Sequence, residues 1–186
     1  MVAFLAKMKT VLKQYLQELT DIARRGDARE ESFYPALSRL LAETAIATDR
    51  PHVHVTTQPK PTDAGNPDFR LWNGSDRIIG YIEAKNPTEE RLDLIEESEQ
   101  LRRYRATFPN LILTNFLEFR LYRNGERVDS VLLARPRVLH QHITLPPETL
   151  IACPVMYDAA SLARKTAVWA TSSGVHSRPS GTLLSR

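Results

Sequence analysis

The stretch Asn66-Pro67-Asp68-Phe69-Arg70-Leu71-Trp72-Asn73-Gly74-Ser75-Asp76-Arg77-Ile78-Ile79-Gly80-Tyr81-Ile82-Glu83-Ala84-Lys85 decides how this chain is read. Asp68 to Trp72 has strand character, Asn73-Gly74 is a tight-turn pair, and Arg77 to Lys85 is a second strand, so the spacing predicts a β-hairpin. Strand alternation puts Glu83 and Lys85 on one face while Ile82 and Ala84 take the other. Asp68 opens the partner arm, where its carboxylate can converge on that of Glu83.

Two convergent carboxylates make an anionic, oxygen-rich pocket suited to Mg²⁺ or Mn²⁺. A phosphodiester resists hydrolysis because the attacking oxygen, the leaving oxygen and the phosphate are all negative, and a divalent ion relieves that repulsion. Lys85 would orient or deprotonate the attacking water and offset charge building on the phosphate. The competing reading of Glu-x-Lys is a solvated cross-strand ion pair worth ~0.2–1 kcal/mol. Against it stand two facts: the tripeptide ends an apolar strand, and a Pro-Asp precedes it by a hairpin's length.

Toward the N-terminus, Val53 and Val55 alternate with His52, His54 and Thr56, which predicts a half-buried strand over Pro51 to Gln58. Further back, Phe4, Met8, Val11, Leu12, Tyr15, Leu16 and Leu19 stand at helical spacing and Gly26 ends that helix. A second helix is expected over Asp27 to Glu43, kinked by Pro35 or starting later because of it. Glu30 shares the inward stripe of that helix with Tyr34, Leu37 and Leu41, which makes it a third acid for the site, with Glu31 as the alternative. It could equally face water in the first helical turn, where the helix dipole favours acids.

Toward the C-terminus, Asn86-Pro87-Thr88-Glu89 resembles a helix start, and a crossover helix is expected to run to about Ala106. It places Gln100 and Tyr104 four apart on one face, flanked by Arg102, Arg103 and Arg105. Gln100 can hydrogen-bond a phosphate or base edge and Tyr104 can stack on a base; the alternative is that Tyr104 is core and the arginines are solvated. Leu111 to Asn115 predicts a buried strand, and Glu118 to Leu133, broken by Asn124-Gly125, a second hairpin. The order is that of an α/β or α+β fold with a mixed central sheet flanked by helices.

The 186 residues divide into a domain over 1–134 and a tail over 135–186. Before Arg135, 19 Lys/Arg face 20 Asp/Glu, whereas 6 face 2 from there on, so the basic pI of about 9.1 is a property of the tail and says little about DNA. The tail holds five of the twelve prolines and a Ser/Gly/Thr-rich end, and is expected to be poorly structured, with a short helix near Ala159 to Ala170. One cysteine, Cys153, excludes an intrachain disulfide and a cysteine-cluster zinc site, which fits a cytoplasmic protein. No apolar run is long enough to span a membrane and no secretory signal is recognisable.

Taken together, Asn66-Pro67-Asp68, Glu83-Ala84-Lys85 and Gln100-Leu101-Arg102-Arg103-Tyr104 resemble the PD-(D/E)xK nuclease signature with the QxxxY extension of RecB-like and Mrr-like nucleases. Arg29 to Leu37 and Leu113 to Phe119 resemble more narrowly the N-terminal nuclease domain of type ISP and type IIL-like restriction-modification enzymes. The resemblance spans roughly Gly26 to Val131. It implies a restriction-endonuclease-like fold and Mg²⁺-dependent DNA cleavage. By it Asp68 and Glu83 are metal ligands, Lys85 the catalytic lysine, Glu30 the helix acid, and Gln100, Arg103 and Tyr104 the substrate-binding group. It implies DNA as partner, a separately encoded methyltransferase or specificity subunit, and a homodimer where both strands are cut. The chain has no Walker-type phosphate loop and no Asn-Pro-Pro-Tyr motif, so translocation and methylation are not expected here; a truncated or frameshifted gene would account for the tail. An inactive nuclease fold that binds DNA or docks a methyltransferase is the alternative.

Overall fold

The computed structural model describes residues 2–136 and Leu139. The expectations for the tail beyond these fall outside the described residues. Helix α1 (Val2–Ala23) buries Met8, Val11, Leu12, Tyr15, Leu16, Leu19 and Ile22 along one stripe. Gly26, at φ +76°, ends that segment in a conformation that disfavours side chains. The second helix starts late: Glu30–Phe33 form a single 3₁₀ turn, and α2 runs over Tyr34–Ala47 with Pro35 in its first turn, where the missing N–H costs nothing.

Six strands follow in one mixed sheet: β1 (His54–Thr57), β2 (Phe69–Trp72), β3 (Ile78–Ala84), β4 (Asn110–Thr114), β5 (Glu118–Arg123) and β6 (Glu126–Leu132). Their order in the sheet is β1-β2-β3-β4-β5-β6, antiparallel throughout except for the parallel β3–β4 pair. Strand β1 is shorter than expected and lies at the sheet edge, where only Val55 is half-buried within the strand.

Both predicted hairpins form. Asn124 and Gly125 both take positive φ, as a two-residue turn of type I′ requires. The first connection is longer than the expected Asn73-Gly74 turn. Asn73 Oδ1 accepts from the backbone N–H of Ser75 and of Arg77, closing a loop over 73–77, and a bulge between Leu71 and Trp72 shifts the register.

The crossover also differs from one continuous helix. Asn86 Oδ1 accepts from Thr88 N at 3.0 Å and the Asn86 carbonyl from Glu89 N, so the asparagine closes a turn and caps nothing longer. Helix α3 covers only Leu92–Glu96, and α4 (Glu99–Thr107) starts afresh at Ser98, whose hydroxyl accepts from Leu101 N.

The sheet separates two cores. Ile82 and Ala84 of β3 point with Phe69 and Phe119 into the larger one, against α1 and α2. Leu111, Leu113 and Tyr122 point the other way, against Leu92, Leu101, Tyr104 and Phe108 of the crossover. Buried Arg120 joins this second layer to the sheet through carboxylates of Asp93, Glu96 and Glu118 at 2.7, 3.1 and 2.6 Å. Among the described residues no helix is long and apolar enough to cross a membrane.

Candidate functional site

The β2–β3 register pairs Phe69 with Ile82. Asp68 immediately precedes β2, near enough to Glu83 for its charge to act on that carboxyl. Asp68 Oδ2 accepts from Ala84 N at 2.8 Å, which ties the aspartate to the strand that carries Glu83. Lys85 continues the parallel ladder by donating its N–H to Thr114 O, and its Nζ reaches Glu83 Oε1 at 2.5 Å. The structure therefore brings Asp68, Glu83 and Lys85 together.

Glu30 joins them through Tyr34. The Tyr34 hydroxyl lies 2.5 Å from Asp68 Oδ1, to which it donates, and 3.3 Å from Glu30 Oε1. Glu30 is half-buried, whereas Glu31 is exposed, so of the two candidate acids the structure brings Glu30 to the group. Tyr34 is the residue that pattern reading missed: it counted there as an apolar stripe position, although its four-residue spacing from Glu30 was a signal for the contact.

The loop before Asp68 is fastened to α4. Arg103 Nε donates to Ala64 O at 2.5 Å, and Thr62 and Gly65 bridge each other. Gly65 has φ +126°, and a Cβ there would lie 3.2 Å from the Tyr104 ring and hydroxyl. Tyr104 is only 1% exposed and packs on Phe108, so its ring cannot stack on a base. Its hydroxyl accepts from Gln100 Nε2 at 3.3 Å. Gln100 and Tyr104 thus engage each other beneath the loop, and Arg103, an exposed residue, holds the loop.

Electrostatics follow from this crowding of acids in a buried place. Glu83 is 3% exposed. Burial, and then the charge of Asp68, push its carboxyl up to about 7 against the pull of Lys85. Burial also raises Glu30, helped by Asp68 and opposed by Lys85. Desolvation works to lower the Lys85 pKa, but the charge and hydrogen bond of Glu83 outweigh it and the ammonium form is held. Burial and the bond to Asp68 raise Tyr34 far above the usual phenol range, so it stays a donor.

One atom is left over. Glu83 Oε2 is buried with no hydrogen-bond partner. An orphaned carboxylate oxygen costs at least ~1–3 kcal/mol. Among the described residues no three His, Cys, Asp or Glu side chains are disposed to hold a metal together. Two carboxylates are nonetheless a sufficient protein contribution for Mg²⁺, which keeps several waters and binds through one or two such groups. The Glu83 oxygen and the adjoining Asp68 fit that requirement.

No family model matches this chain, and no curated protein matches it. Among solved structures it is similar to one chain of the cryo-EM structure of a DrdV–DNA complex, with 25% sequence identity and a TM-score of 0.54. The fold resembles part of a DNA-bound protein. The match covers 70% of this chain and 13% of that one, so this chain corresponds to a small part of its neighbour.

Proposed function

We propose that residues 1–134 form a Mg²⁺-dependent nuclease domain of the PD-(D/E)xK type that hydrolyses DNA phosphodiester bonds, serving as the cleavage part of a restriction-modification system. The observation that carries the reading is the buried, unpartnered Glu83 Oε2 beside Asp68, with the Lys85 ammonium 2.5 Å from the other Glu83 oxygen. The similarity to part of a DNA-bound structure supports DNA as the substrate.

In this mechanism the reaction adds water to phosphorus, breaks one P–O ester bond and delivers a proton to the leaving oxygen. A divalent cation between Asp68 and Glu83 would supply charge neutralisation at the phosphate. Lys85, itself held by Glu83, places a fixed positive charge where negative charge develops and orients the attacking water. Tyr34 and Ala84 N keep the Asp68 carboxylate in one orientation, so no reorganisation is needed as substrate enters. Glu30, with its raised pKa and its contact to the Tyr34 hydroxyl, is suited to take up and release a proton beside Asp68.

Incubating the full chain with supercoiled plasmid and Mg²⁺ tests this: nicked or linear product is expected, and Lys85→Ala should give none. Cleavage by Lys85→Ala at the unaltered rate would overturn the assignment. A second reading, an inactive fold that binds DNA or docks a separately encoded methyltransferase, draws on the fact that both Asp68 oxygens already accept from protein donors. It predicts DNA or methyltransferase binding with no cleavage and no heat of Mg²⁺ binding. A homodimer, as cutting of both strands would need, is checked by sedimentation with duplex present.

A further inference from the structure

We propose that the open face of β1 and β2 is a track for the DNA strand next to the cleavage site, with Arg70 receiving a backbone phosphate and Trp72 a stacked base. The choice of DNA rests on the nuclease reading; the existence of an anion and ring site rests on the residues themselves.

Arg70 and Trp72 share a face of the sheet with Thr56, since the Arg70 guanidinium lies against the Trp72 ring and the indole donates to Thr56 Oγ1, and Asp68 precedes Arg70 by two residues. That face is the one on which Glu83 and Lys85 stand. Helices α3 and α4 cover it over β3 to β5, but their core includes no residue of β1 or β2, where Arg70 and Trp72 remain half-buried beside the Lys60 loop. Across from Arg70 and Trp72 on β1 lie Thr56 and His54, both exposed.

Arg70 is built into this shelf. Its guanidinium lies 5.6 Å from the Trp72 ring and 5.7 Å from the Tyr81 ring, and Nη2 donates to Lys60 O at 3.0 Å. Like Arg103 and Arg105, Arg70 has no carboxylate partner among the described residues, but whereas their Nε groups donate to backbone carbonyls, the Arg70 Nε is buried without a hydrogen-bond partner. A half-buried, oriented fork of N–H donors with no counter-charge fits an anion with paired oxygens, such as a phosphodiester. The Trp72 indole is fixed in its plane by donation from Nε1 to Thr56 Oγ1 and is half-exposed, as a stacking platform must be. Exposed Lys60 adds a second cation to the neighbouring loop.

The test is binding of a fluorescein-labelled mixed-sequence duplex to the full chain in EDTA, followed by anisotropy over a range of salt. Arg70→Gln is expected to weaken binding about five- to tenfold and to reduce the salt slope by ~0.9, the loss of one phosphate contact. Arg70→Lys should keep the slope. In a Trp169→Phe background, where Trp72 is the sole indole, saturating DNA should quench its fluorescence. A folded Arg70→Gln protein with unchanged slope, or an unquenched Trp72, overturns the proposal; should Arg70→Gln fail to fold, the fluorescence alone decides. Binding with this dependence but without Mg²⁺-driven cleavage would sink the nuclease reading and keep the track. Cleavage with an unchanged slope would sink the track alone, and no binding at all would sink both.

Discussion

The Tyr34 hydroxyl donates to Asp68 Oδ1 across 34 residues of chain, at 2.5 Å. Removing that oxygen by Tyr34→Phe should leave the ring packed on Phe69, 4.8 Å away between centroids, and cost ~1.5–3 kcal/mol of stability, the worth of a hydrogen bond to a charged group. Cleavage should slow by about ten- to a hundredfold because Asp68 loses its orientation. Urea melts and single-turnover cleavage check both.

If the proposed site binds Mg²⁺, the unaltered chain should gain Tm with the ion, and Glu83→Gln should abolish both that rise and cleavage. Calorimetric melting with and without 10 mM MgCl₂, about the usual working excess for mass action, reads this. A full Mg²⁺ shift in Glu83→Gln would remove Glu83 from the ligand set.

Without metal, stability should fall as pH rises. The Glu83 carboxyl is raised in the fold from 4.5 to about 7, so the native state holds its proton where the unfolded chain has released it. The resulting stabilisation is complete below about pH 4.5 and gone above about pH 7, on the order of 3 kcal/mol across that window. Glu30 shifts in the same direction and adds to the trend. Urea melts in EDTA at pH 5, 6 and 7.5 measure it. With Mg²⁺ the decline should flatten, since a cation favours the ionised form.

Gly65→Ala should cost ~1–3 kcal/mol, since φ +126° disfavours a side chain and the new methyl would crowd Tyr104. Its effect on cleavage should exceed its effect on Tm, because the loop it distorts delivers Asp68. A variant as stable and as active as the unaltered chain would show that the loop adapts freely.

Arg120→Ala should be destabilising, by ~1–3 kcal/mol, because Glu118 loses its cation beside the sheet while Glu96 keeps Arg127 and the Tyr122 hydroxyl. Thermal denaturation gives the value directly.

Much of this was legible from pattern because the decisive signals are local. Alternation alone put Glu83 and Lys85 on one face, and Asn124-Gly125 dictated its turn through positive φ. The approach of Asp68 to Glu83 was not fixed by the turn signal: a two-residue Asn73-Gly74 turn would set Asp68 against Ile79, and the longer loop over 73–77 with the bulge at Leu71/Trp72 is what brings Phe69 opposite Ile82. Signals failed where two local options competed. Asn86 and Ser98 are both good caps, and the side chain of Asn86 was used up in its own turn, leaving Ser98 to start the helix. Contacts with no fixed spacing were invisible: the Tyr34 bond to Asp68, and Arg120 gathering acids from a helix and its own strand. Tyr104 was ambiguous by composition, and only its depth shows that the ring belongs to the core.

The sheet repeats in space the order of its strands along the chain. Each strand emerging during synthesis therefore finds its predecessor already in place, and no strand must wait for a distant segment to be inserted between two others. The long-range closure is left to α1, whose Tyr15 hydroxyl donates to Phe116 O at 2.8 Å, 101 residues away. Assembly should then finish with the first helix settling onto a completed sheet, so that pulse-labelled amides of β2 to β4 become protected before those of α1; the reverse sequence would contradict this route.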